Sequence, residues 1–106
     1  MSASKIDFVN DITKSNKVAV FSKVYCPYCT MAKSALKEAG LKEYFLMELD
    51  EVDDGAAIQD ALQKVTGART VPRVFIGGKF VGGGSEVRDL QSAGKLTKML
   101  QEAGAL

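Results

Sequence analysis

Histidine and tryptophan are absent from this chain, and cysteine and proline occur twice each. The lack of histidine removes a Cys-His pair of the protease kind. It also leaves a zinc site short of ligands, since a structural site needs about four and a catalytic one usually three. Two cysteines complete such a site only between two molecules or with outside ligands. A predominant sign of charge is missing too. The 14 basic and 13 acidic residues leave a formal net charge of +1, so no global field holds nucleic acid or an anionic membrane, and charge recognition has to be local. Apolar runs extend over only a few residues, which excludes a transmembrane helix. The opening stretch MSASKIDFVNDITK has no apolar run of the signal-peptide kind, and it carries Asp7 and Asp11, which a mitochondrial transit peptide avoids. The expectation is a reducing, cytoplasmic setting.

What is present is the material of one domain, residues 1–106: 46% of the side chains are apolar, enough for a single core. Phe8, Val9 and Ile12 recur at helical spacing behind Ser4, a capping residue with Asp7 three positions on. KVAVFS, Lys17 to Ser22, is a short β-prone run of the kind buried on both faces. Ala32, Ala35, Leu36 and Ala39 form a second helical stripe, ended by Gly40. YFLMEL, Tyr44 to Leu49, reads as another buried strand, and Ile58, Ala61, Leu62 and Val65 as a helix stopped by Gly67. RVFI and KFV flank Gly77 and Gly78, a pair that accepts the positive φ angles of a hairpin turn. Val87, Leu90, Leu96, Met99 and Leu100 mark one or two closing helices. The order α-β-α-β-α-β-β-α predicts a parallel first pair of strands and an antiparallel last pair. The fold class is α/β: a thioredoxin-like architecture, with a four-stranded mixed sheet flanked by helices on both faces.

Both cysteines lie in KVYCPYCTMAK, as Cys26 and Cys29. A disulfide across so short a loop removes little entropy from the unfolded chain, and a reducing compartment would not preserve it. A redox centre accounts for more of the local detail. The preceding strand ends at Ser22, and Pro27 suits the first position of a helix, where its missing N–H costs nothing. Cys26 then stands at the helix N-terminus, facing unpaired backbone N–H groups, with the cation of Lys23 nearby; both favour the thiolate. Cys29, three residues further into the helix on nearly the same face, is close enough for a disulfide and more buried, which suits a resolving thiol.

Three motifs, CPYC at 26–29, TVPRVFI at 70–76 and GGGSE at 82–86, occur in this order. With them nearly the whole chain resembles the dithiol class of glutaredoxins, in the thioredoxin superfamily. The resemblance implies a cis Pro72 beside the cysteines, with the Val71 backbone turned towards substrate. It implies a glutathione groove in which Lys23, Gln59 and Arg69 meet the glycine carboxylate and Tyr28 lines the wall. Gln59 is expected on the exposed side of its helix. Thr70, Val71 and Pro72 form one edge of the groove. Gly83 lets backbone approach the ligand, and the N–H groups of Ser85 and Glu86 hold the γ-glutamyl carboxylate at a helix start. Two positions depart from the family pattern: Glu86 stands where aspartate is usual, and Gly84 where many members carry another cysteine.

The activity implied is glutathione-dependent thiol-disulfide exchange, with Cys26 as nucleophile and Cys29 resolving mixed disulfides. Glutathione is then a co-substrate, and no cofactor or metal is tightly bound. The implied partners are glutathionylated or disulfide-containing proteins, with glutathione reductase reached only through glutathione. A monomer that binds neither nucleic acid nor membrane is expected. Two alternatives stay open. One is a carrier that shares a [2Fe-2S] cluster between two subunits, against which Pro27 argues, since small residues there favour cluster binding in the family. The other is a thioredoxin served by a flavoenzyme reductase, disfavoured by CPYC and the charged groove residues.

Overall fold

The computed structural model of the chain describes residues 2–106, with side chains from Lys5 onward. Nine elements follow in order: α1 (Ser2–Ser15), β1 (Val18–Ser22), α2 (Pro27–Glu38), β2 (Phe45–Glu48), α3 (Gly55–Thr66), β3 (Arg73–Ile76), β4 (Lys79–Gly82), α4 (Gly84–Ser92) and α5 (Leu96–Glu102). The sheet order is β2-β1-β3-β4, with β1 parallel to β2 and antiparallel to β3, and β3 antiparallel to β4. This is the thioredoxin-like fold.

Strand β1 is central, which is why its run is apolar without alternation: all five residues are buried. Its pleat divides them between two cores. Val18 and Val20 join Leu36, Val74, Val87 and Leu100 under α2, α4 and α5. Ala19 and Phe21 join Val9, Ile58, Leu62 and Phe75 under α1 and α3. The Phe21 ring lies 6.0 Å from the rings of both Phe45 and Phe75. Full burial of a side chain such as Phe21 or Leu36 stabilises by about 1.5–3 kcal/mol. Gly77 and Gly78, at φ 61° and 81°, close the two-residue turn between Ile76 and Lys79.

Three expectations change. The β2 strand is shorter than Tyr44–Leu49 and only half buried, with Leu46 exposed, because it is an edge strand with one neighbour. Phe8 is exposed rather than part of the apolar face of α1, and its ring sits under the Lys5 ammonium. Helix α1 already begins at Ser2, so Ser4 is inside it; the Ser4 side chain lies outside those described.

Candidate active site

Strand β1 delivers the chain to a loop, residues 23–26, that turns into α2. Cys26 is the N-cap, extended at φ −142° and ψ 110°, and Pro27 takes the first helical position. The Cys29 backbone N–H, one of the donors a helix start leaves unpaired, points at Cys26 Sγ at 3.2 Å. Ahead of the cap, the Val24 N–H donates to both carboxylate oxygens of Asp50, each at 3.1 Å, which ties this loop to the chain leaving β2. Opposite the cap, the Val71 carbonyl lies 3.8 Å from Cys26 Sγ. The Val71–Pro72 peptide is cis, and Pro72 is fully buried.

The two thiols are free and differ in surroundings. Cys26 is partly exposed, whereas Cys29 is completely buried. Burial pushes the Cys29 thiol up from 9.0 to about 11, and its hydrogen bond with the Cys26 side chain acts in the same direction. Cys29 is therefore a protonated thiol at neutral pH.

Around this pair the structure brings together several of the residues named from sequence. Tyr28 is exposed on α2, while its backbone carbonyl lies under Gly84, where a Cβ would stand only 2.4 Å away. Gly83 is equally confined: a Cβ there would lie 3.4 Å from the Pro72 carbonyl oxygen and 3.3 Å from Glu86 Oε1. Glycine at 83 and 84 thus lets α4 start close against α2 and the cis-proline turn. Thr70 is exposed, and Ser85 and Lys23 are half buried.

One side chain sits differently from the sequence reading. Gln59 is not on an exposed face: it is 7% exposed, and its Nε2 donates to the Arg69 carbonyl at 3.0 Å. The helical period of α3 places it beside Ile58 and Leu62, and the loop after the helix folds back over it. Glu86 turns onto its own helix start, where Oε1 accepts the Gly83 N–H at 2.7 Å. Arg69 is exposed, with Nε donating to Asp60 Oδ1 at 2.8 Å.

Sequence reasoning missed Asp50, Asp60 and above all Arg73. Arg73 is 9% exposed and packs over the Phe80 ring, 4.8 Å from its centre. One signal pointed to it: a charge opening the buried run RVFI, in phase with Phe75. The surface also carries depressions away from Cys26. One of about 820 Å³ is lined by Lys17, Val18, Tyr44 and Leu106, at the other end of β1.

A helix-capping sulfur backed by a buried thiol, beside a cis-proline on a thioredoxin-like sheet, defines a thiol-disulfide oxidoreductase. Comparison with known proteins gives the family. The Glutaredoxin family model matches residues 18–81. A glutaredoxin of Ricinus communis is 51% identical over 96 residues, spanning 91% of this chain and 93% of its own. The crystal structure of oxidized glutaredoxin 2 from Chlamydomonas reinhardtii superposes with a TM-score of 0.96 at 50% identity, covering 99% of this chain and 98% of that one. A buckwheat glutaredoxin–glutathione complex gives 0.92 at 44% identity, covering 99% and 94%. The chain belongs to the glutaredoxin family.

Proposed function

We propose that this protein uses glutathione to reduce protein–glutathione mixed disulfides and protein disulfides. The observation that carries the proposal is the asymmetry of the pair: Cys26 is accessible and receives an N–H at its sulfur, while Cys29 is buried and protonated. The Cys26 thiolate attacks the glutathionyl sulfur, the old S–S bond breaks, and the target leaves as a thiolate that takes a proton from solvent. The thiolate of a second glutathione then attacks the glutathionyl sulfur on Cys26. Glutathione disulfide leaves and the Cys26 thiolate returns, so one free glutathione is oxidised for each mixed disulfide reduced, its partner being the glutathionyl group taken from the target. On a protein disulfide, Cys26 forms a mixed disulfide with one target sulfur. Cys29 loses its proton, attacks Cys26 Sγ and releases the target dithiol; two glutathiones reduce the Cys26–Cys29 bond.

The buckwheat relative's glutathione supports placing the same ligand here. Lys23 and Arg69 would meet its glycine carboxylate, with Gln59 acting through the Arg69 backbone it holds. Tyr28, Thr70, Val71 and Pro72 would form the walls, and Gly83, Ser85 and Glu86 the γ-glutamyl end, where backbone N–H groups open α4. Glu86 serves by ordering that helix start. A reducing compartment supplies the donor.

The test is turnover of a glutathionylated peptide by the reduced protein, with glutathione and glutathione reductase following NADPH. Turnover that requires Cys26 and saturates with the peptide is the expected result. A rate equal to that of glutathione alone would overturn the proposal.

A further inference from the structure

Arg73 opens β3 with its side chain turned into the α3 side of the sheet, nine-tenths buried. Nε donates to the Pro72 carbonyl at 3.1 Å, Nη2 to Thr70 Oγ1 at 3.2 Å and Nη1 to Thr66 Oγ1 at 3.4 Å. Phe80 covers one face of the guanidinium. Among the described residues no carboxylate forms a salt bridge with it. Its hydrogen-bond partners are neutral oxygens, and the Glu86 carboxylate acts on it only through space; burying the charge this way is unfavourable compared with an apolar side chain of similar volume. Core packing alone does not account for a guanidinium here.

The donor fork spans a particular stretch. Thr70 and Pro72 are the neighbours of Val71, whose carbonyl lies 3.8 Å from Cys26 Sγ. We propose that Arg73 is a positioning residue: it grips the chain on both sides of Val71 and holds that backbone opposite the reactive sulfur, selecting disulfides that carry a peptide backbone. The inference rests on the glutathione reading above, in which the Val71 backbone faces the substrate. The planar fork is central to it, because its N–H groups point in fixed directions at acceptors on both sides of one residue, an arrangement that an ammonium on a flexible stem does not pre-organise.

The test follows the loss of free Cys26 thiol by mass spectrometry in the reduced full chain, with two oxidants. Glutathione disulfide has a peptide backbone; cystamine has the same disulfide and none. In Arg73→Met the rate with glutathione disulfide should fall about 10-fold, the order expected for a misplaced reacting group, while the cystamine rate stays within about 2-fold. Arg73→Lys should be as slow as Arg73→Met. Equal slowing with both oxidants would assign Arg73 a purely structural role, and rescue by lysine would assign it to charge; either overturns the proposal, as does an unchanged Arg73→Met. If Arg73→Met does not fold, Thr66→Val, outside the groove, frees one end of the fork and should slow glutathione disulfide alone. No change in Thr66→Val would also overturn the proposal. A wild type that reacts no faster with glutathione disulfide than with cystamine would overturn the glutathione reading itself.

Discussion

The backbone N–H of Cys29 points at the sulfur of Cys26, 3.2 Å away, while the Cys29 thiol itself is sealed from solvent. One residue thus stabilises negative charge on its partner and holds its own proton. Replacing each cysteine by serine separates these roles. Cys26→Ser should lose at least about 100-fold in turnover of both glutathionylated and dithiol-requiring substrates, because no other accessible thiol exists in the chain. Cys29→Ser should keep substantial activity on glutathionylated peptide and lose most of its reduction of protein disulfides. Peptide mapping after brief iodoacetamide treatment of the native protein should find label on Cys26 only. Substantial turnover by Cys26→Ser would assign the nucleophile elsewhere.

Titration of Cys29 has a consequence for stability. Its folded pKa is raised from 9.0 to about 11 by burial, so between these values the native state binds more protons than the unfolded one. Stability from this group is complete below about pH 9 and is lost as pH rises towards 11. Urea denaturation of the reduced protein should show a falling midpoint across that window. Cys29→Ser should show a smaller fall, a remainder belonging to Tyr44, whose pKa burial also raises. Identical pH profiles for the two proteins would contradict the assignment.

Arg69 and Asp60 form an exposed pair at 2.8 Å, worth little to the fold. In the proposed groove the same guanidinium meets a ligand carboxylate, so the two anions compete for it. Arg69→Ala should raise KM for a glutathionylated substrate about two- to five-fold at low salt, with no change in Tm. Asp60→Asn should shift KM the other way. A KM that ignores both substitutions would place the ligand's carboxylate elsewhere.

Gly84 lies against the Tyr28 carbonyl, where an added Cβ would come within 2.4 Å of the oxygen. Alanine improves helix propensity over glycine by at most about 1 kcal/mol. The overlap is with backbone, which cannot rotate aside, so α4 would have to move off α2; such overpacking costs about 1–3 kcal/mol. The net effect of Gly84→Ala, and of the cysteine that many family members carry there, should be a loss of stability measurable by urea denaturation. An unchanged or raised midpoint would show that the α2–α4 contact yields easily.

The features legible from the chain alone are those set by neighbours in sequence. A four-residue apolar run, Val18 to Phe21, makes a strand wherever both of its faces can be covered. Gly77-Gly78 makes the hairpin because only such residues take those φ angles without strain. Pro27 after Cys26 places the sulfur at a helix start, and the spacing to Cys29 brings an N–H under it. The cis geometry at Pro72 and the groove residues came from resemblance of the three motifs to a family, not from periodicity. Other features depend on which elements become neighbours. The β2 run looks as buried as β1 in sequence, but sheet order leaves it at an edge. Gln59 has the polarity of a surface residue, yet a loop ten residues on closes over it and uses its amide. Glu86 could reach a ligand or its own helix start, and the close approach of Gly83 decides for the helix. Arg73 is an ordinary charge in the string; its burial beneath Phe80 and between Thr66 and Thr70 exists only once α3, β3 and β4 are packed together. Local backbone preferences act over a few residues and survive in the sequence as pattern, whereas desolvation and long-range hydrogen bonding are properties of the packed chain.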